Sequence, residues 1–160
     1  SGFAYNAGLK ATVFSAVPYA TGFAALPALV SLSAKPPELP GWWVMLVGAI
    51  LGVSAHFANV LPDRESDKAE GIRGLPQRLP RVITAAALVG LTGVASAVLI
   101  WQGGFASLWV TIPVGVAAYV VSIVAAVLSL RAPFTLWPFR LSIAAAGLIA
   151  VGLLGVLRLT

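Results

Sequence analysis

Asp63 and Asp67 stand four residues apart, so their carboxylates share one face if the apolar segment before them continues as a helix past Pro62. Two carboxylates so placed suit a hard cation such as Mg2+, which keeps several waters and bridges readily to phosphate oxygens. Lys68, Arg73 and Arg78 follow closely and offer charge-assisted hydrogen bonds to the remaining phosphate oxygens. Gly71 and Gly74 let backbone approach a ligand closely. Asn59, one turn before Asp63, is a polar group still inside the apolar stretch, where such groups face a bundle interior or a cavity. Glu65 lies between the two aspartates and would point elsewhere on a helix. The same segment, with four acidic and five basic residues from 61 to 81, also reads as a solvated hairpin. Its position, where an apolar helix meets water, favours a site binding a phosphorylated ligand.

The elements that must position these groups belong to a membrane. Of 160 residues, 59% are hydrophobic and 9% charged, against about a quarter charged in a soluble domain. Five apolar runs of about bilayer length occupy residues 13–33, 42–60, 82–101, 108–130 and 139–157. Backbone amides find no water in lipid, so such runs are helices or strands of a closed barrel. Residues 85–91 and 116–128 are apolar on every side, without the alternation a barrel strand needs. The expected fold is therefore all-α, one polytopic transmembrane bundle of five spans (residues 1–160) with a motif loop at 61–81. Pro18, Pro27 and Pro113 fall inside runs and are expected to kink them. Residues 34–41 and 101–105 read as short turns. With no cysteine, disulfides, thiolate metal sites and cysteine nucleophiles are excluded.

Charge sets an expected orientation. With the N-terminus cytoplasmic, that side receives Lys10, Arg64, Lys68, Arg73, Arg78, Arg81, Arg131 and Arg140, and the far side only Lys35 and Arg158. Eight cations against two obey the positive-inside rule, placing the 61–81 segment in the cytoplasm. The net charge of +5 is then a mark of membrane topology rather than of nucleic-acid binding. Ionisable groups are missing from the middle of the spans, which argues against a transporter or channel. His56, near a span end with no second His or Cys beside it, reads as a packing residue.

The segment from Ala55 to Leu79, His-Phe-Ala-Asn-Val-Leu-Pro-Asp-Arg-Glu-Ser-Asp at its heart, resembles the second aspartate-rich motif of the UbiA-type intramembrane prenyltransferases. Residues Tyr5 to Thr12 with Pro18 and Tyr19 resemble the start of that family's fifth helix. The resemblance covers essentially this whole chain but only helices five to nine of the nine-helix fold. It implies Mg2+-dependent prenyl transfer from a polyprenyl diphosphate to an acceptor, often an aromatic ring, at the cytoplasmic side of an integral multi-pass protein in the lipid bilayer. By the same resemblance Asp63 and Asp67 hold the metal, while Lys10, Lys68 and Arg73 contact diphosphate oxygens and Asn59, Tyr5 and Asn6 complete the substrate site. Phe14, Tyr19 and Phe57 are candidates for stabilising a carbocation with their ring faces.

Two departures from the family pattern stand out. Tyr5 and Lys10 are one residue further apart than the family's Tyr-x-x-x-Lys, whereas Asn6 and Lys10 keep the i to i+4 relation. The first aspartate-rich motif is not in the sequence, so an N-terminal half is expected, in the same polypeptide or in a partner chain. The alternatives to an enzyme half are a non-catalytic membrane assembly subunit or a small transporter component. The Asp-x-x-Asp-Gly-x-x-Ala-Arg signature of CDP-alcohol phosphotransferases is absent.

Overall fold

In the computed structural model, which describes residues 8–132 and 135–159, every regular element is helical. After a 3₁₀ turn at Leu9–Ala11 come α1 (Val17–Leu32), α2 (Trp42–Ala69), the single-turn α3 (Leu75–Arg78), α4 (Arg81–Gln102), α5 (Leu108–Arg131) and α6 (Trp137–Leu159). Four of these, α2, α4, α5 and α6, are long and apolar enough to cross a bilayer. The protein is a polytopic helical membrane bundle. The run at 13–33 forms the shorter α1, 16 residues long. Pro18 corrects one expectation: it sits in the first turn of α1, where a proline ring is pre-shaped for the helix and no hydrogen bond is lost, rather than at an interior kink. Pro27, Pro62 and Pro113 do lie inside helices.

Small residues allow these helices to approach closely, as they must where lipid supplies no hydrophobic drive between spans. The main core joins Val47 and Leu51 of α2, Ala95 and Leu99 of α4, Ala118 of α5 and Ala145, Ile149 and Val156 of α6. A second cluster of Ala58, Leu61, Leu88 and Ala125 lies nearer the motif end. α1 packs on α2 where Gly48 and Gly52 expose bare backbone. A Cβ at Gly52 would come within 2.4 Å of the Tyr19 carbonyl, so the two helices touch there almost backbone to backbone. Ser54 of α2 and Thr92 of α4, both buried, pair across helices at 3.3 Å.

One end of the bundle is tied by Arg81. Its guanidinium donates to Leu61 O of α2 at 2.9 Å and to Ser129 O near the C-terminus of α5 at 3.0 Å. At Ser129, in the last turn of α5, the planar cation meets an orphan carbonyl and complements the helix dipole, whereas Leu61 O lies inside α2, which continues to Ala69. This anchor brings the end of the α2 apolar run, the start of α4 and the end of α5 together, at the end where the charged segment emerges.

Candidate functional site

The motif begins as a helix and not as a loop. α2 runs unbroken from Trp42 through Pro62 to Ala69, which corrects the expected loop at 61–81. The apolar pattern stops at Val60, but Arg64, Glu65, Lys68 and Ala69 are good helix formers, so the backbone continues beyond its greasy section. Asn59, Asp63 and Asp67 therefore share one helical stripe at intervals of four. Gly71 stops the helix: at φ 75° it adopts a left-handed conformation. Ile72 N–H then reaches Asp67 O at 2.8 Å and Gly71 N–H reaches Lys68 O at 3.2 Å, the paired closure of a Schellman turn.

That turn folds α3 back against the end of α2, and three side chains fix it there. Arg64 donates to Pro76 O at 3.2 Å, to Gln77 O at 2.9 Å and also to Leu79 O, holding the carbonyl end of the short helix. At the amino end, Leu75 N–H donates to Ser15 Oγ at 3.0 Å. Between them, Gln77 Nε2 donates to Asp67 Oδ2 at 2.7 Å. The amide's orientation follows from this contact, since the reverse assignment would set oxygen against carboxylate. Gln77 Oε1 is left buried without a partner among the described residues.

The result is a cleft of about 340 Å³ lined by Arg64, Glu65, Lys68, Ile72, Arg73, Gln77 and Arg78. Four cations and one carboxylate face this space. Arg64 is committed to backbone carbonyls and Arg78 Nε to Arg73 O at 2.7 Å. The side chains of Lys68 and Arg73 are held by no carboxylate among the described residues.

The expected site residues divide in three. Lys68 and Arg73 line the cleft, and Asp67 joins it through Gln77. Asp63 is exposed one turn back on the Asp67 stripe, and Asn59 is half-buried one turn further. Lys10 comes to the same end by its backbone, because its carbonyl would lie 2.6 Å from a Cβ built on Gly74. Tyr5 and Asn6 lie outside the described residues. Glu65 points away from the Asp63–Asp67 stripe, as expected, and lines the cleft one turn from Lys68 on the helix. Of the aromatic candidates, Phe14 is exposed, while Tyr19 packs its ring 4.6 Å from that of His56 and Phe57 is buried edge-on to it. His56 is the packing residue expected, fully buried and 3.0 Å from Ser15 Oγ. Gln77 and Arg64 were not legible as site residues; the only sequence signal was their nearness to the aspartates.

The model of the UbiA prenyltransferase family matches residues 1–146, nearly the whole chain. The chain belongs to the UbiA prenyltransferase family. Membership carries a prenyltransferase-type function and integral membrane residence. No curated protein and no solved structure matches it. The donors available in this UbiA-family chain suit the divalent ion its family generally uses: the carboxylates at Asp63 and Asp67 are hard oxygens. Among the described residues no three His, Cys, Asp or Glu side chains gather into a metal cluster. Such a donor set leaves room for water and phosphate oxygens, as Mg2+ prefers.

Proposed function

We propose that this chain forms the diphosphate-binding side of an intramembrane prenyltransferase that moves a prenyl group from a polyprenyl diphosphate to a lipophilic, aromatic acceptor. The observation that carries the reading is the Asp67–Gln77 contact beside a cleft lined by four cations, at the end of an apolar bundle. In the reaction the allylic C–O bond breaks, the acceptor carbon bonds to the prenyl carbon, and the acceptor loses a proton. Diphosphate leaves with the electron pair of the broken bond.

Each part of the chain has a task in this scheme. Lys68 and Arg73 bind diphosphate oxygens and lower the energy of the charge that develops on them. Lys10 joins them from the N-terminal segment. Asp63 and Asp67 hold Mg2+, which when bound neutralises the leaving group. The apolar helices accept the prenyl tail and keep water from the reactive carbon. Further carboxylates come from outside these 160 residues, in the same polypeptide or in a partner chain. The eight cations of the motif side support, by the positive-inside rule, a cytoplasmic location for it and for the N-terminus.

The test is prenyl transfer from a radiolabelled polyprenyl diphosphate in native membranes by the complete protein, compared with Asp63→Asn and Asp67→Asn. Loss of about 10²-fold or more in each variant is expected, the scale for removing one preorganised electrostatic group. Full turnover by both variants would show that neither carboxylate serves the reaction and would point instead to a non-catalytic assembly role for this chain.

A further inference from the structure

Ser15, 41 residues from His56 and 60 from Leu75, bonds to both. Its Oγ accepts the Leu75 N–H at 3.0 Å and lies 3.0 Å from His56 Nε2, and Ser15 and His56 are each 0% exposed. A buried hydroxyl in such a place exchanges bulk water for two fixed partners, so its position is specified by both. Gly74 makes the approach close: a Cβ there would stand 2.7 Å from Ser15 Oγ and 2.8 Å from Gln77 Oε1. The next turn of chain presents Gln77 to Asp67 at 2.7 Å. A continuous chain of contacts thus runs from the interior of α2 at His56, through Ser15 and α3, back to the end of α2 at Asp67.

We propose that Ser15, His56 and Gln77 are positioning residues that set the orientation of the Asp67 carboxylate toward its ligand. This rests on the diphosphate-site reading above. The reason for a device here is geometric. Asp67 lies in the last turn of α2, five residues past Pro62, where the ladder of the helix has already lost one donor. A carboxylate so near a helix end holds its rotamer only if something outside its own helix fixes it. Gln77 does this directly. Ser15 does it by fixing the amino end of α3, and His56 by anchoring Ser15 to a part of α2 that is fully buried. Outer-shell partners of this kind typically change metal affinity 10–100-fold when removed.

The test measures Mn2+ binding by electron paramagnetic resonance to the complete protein in detergent, with a non-reacting farnesyl thiolodiphosphate present. Gln77→Leu and Ser15→Ala are each expected to weaken Mn2+ by about tenfold. Ser15→Ala is expected to add nothing in a Gln77→Leu background, because both act on Asp67 through one path. A merely structural role for Ser15 would instead give losses that multiply, and that result overturns the proposal. Unchanged Mn2+ affinity in Gln77→Leu overturns it too, and this decides the matter even where Ser15→Ala fails to fold. Asp67→Asn separates the two levels. Weaker binding there with an inert Gln77→Leu sinks the clamp alone, whereas no change in Asp67→Asn sinks the diphosphate-site reading and the clamp with it.

Discussion

Replacing Gly74 with alanine is the sharpest structural probe of the site. Its backbone, φ −64° and ψ 175°, is open to any residue, so the substitution carries no conformational penalty and its whole effect is steric. The added Cβ would lie 2.6 Å from Lys10 O, 2.7 Å from Ser15 Oγ and 2.8 Å from Gln77 Oε1, where ordinary contact begins near 3.4 Å. One partner is a backbone carbonyl, so a change of rotamer cannot relieve the clash. α3 is held at its far end by Arg64, and the segment from Lys10 to Ser15 is the part that can retreat. Its retreat breaks the Ser15 bonds to Leu75 and His56, each worth about 1 kcal/mol net. Overpacking of this kind costs about 1–3 kcal/mol where it is not relieved; because the retreat relieves most of the clash, the two broken bonds set the loss, about 2–3 kcal/mol in all. Thermal unfolding followed by tryptophan emission in detergent would register a fall of about 4–12 °C, at ~2–4 °C per kcal/mol for a chain of this size. Gly90→Ala is the control. Gly90 is an exposed helical glycine with nothing within 4 Å of its added methyl, and there alanine stabilises by about 0.5–1 kcal/mol. Equal melting of Gly74→Ala and Gly90→Ala would refute the close approach on which the clamp depends.

Arg81→Ala should lower the melting temperature more than any other exposed-end substitution, since two charge-assisted bonds to Leu61 O and Ser129 O are lost at about 1.5–3 kcal/mol each. Arg81→Lys should recover less than half of that loss, because an ammonium cannot span both carbonyls as the planar fork does; full recovery would contradict the anchoring geometry. Gly52→Val should detach α1 from α2, as its side chain would strike the Tyr19 carbonyl and the Phe23 Cβ. Faster cleavage within residues 17–41 by a soluble protease is the measurement, and parental resistance would refute the packing. Arg73→Gln and Lys68→Gln should each raise the KM for a prenyl diphosphate about tenfold or more while leaving the melting temperature within 2 °C, for losing one charged hydrogen bond on the ligand at ~1.5–3 kcal/mol. A KM unchanged in both would show that the cleft does not hold the diphosphate.

Much of the architecture was legible in advance because the bilayer leaves few choices. A run of about 20 apolar residues has no way to satisfy its amides in lipid except as a helix, so α2, α4, α5 and α6 follow from composition. The aspartate stripe was legible too, since Asp63 and Asp67 share a face as soon as α2 passes Pro62. Boundaries were less so. The run at 13–33 is apolar throughout, yet α1 begins only at Val17 with Pro18 in its first turn, because hydropathy does not record where a helix nucleates. The segment 61–69 looked like a loop because hydrophobic periodicity ends at Val60, while helix propensity does not.

The sequence by itself determined that this is a helical membrane protein of the UbiA family and that its acidic and basic residues gather mainly in one segment. Only the tertiary structure decided how those residues are held. Gln77 on Asp67 spans 10 positions, Ser15 on Leu75 spans 60, and Arg81 on Ser129 spans 48. Periodicity and propensity are local properties of a few turns, whereas these contacts exist only because the Schellman turn at Gly71, the close packing at Gly74 and the packing of α4 on α5 fold distant segments onto one another. For the same reason Arg64 reads in sequence as one more loop cation, and in the folded chain as the residue that closes α3.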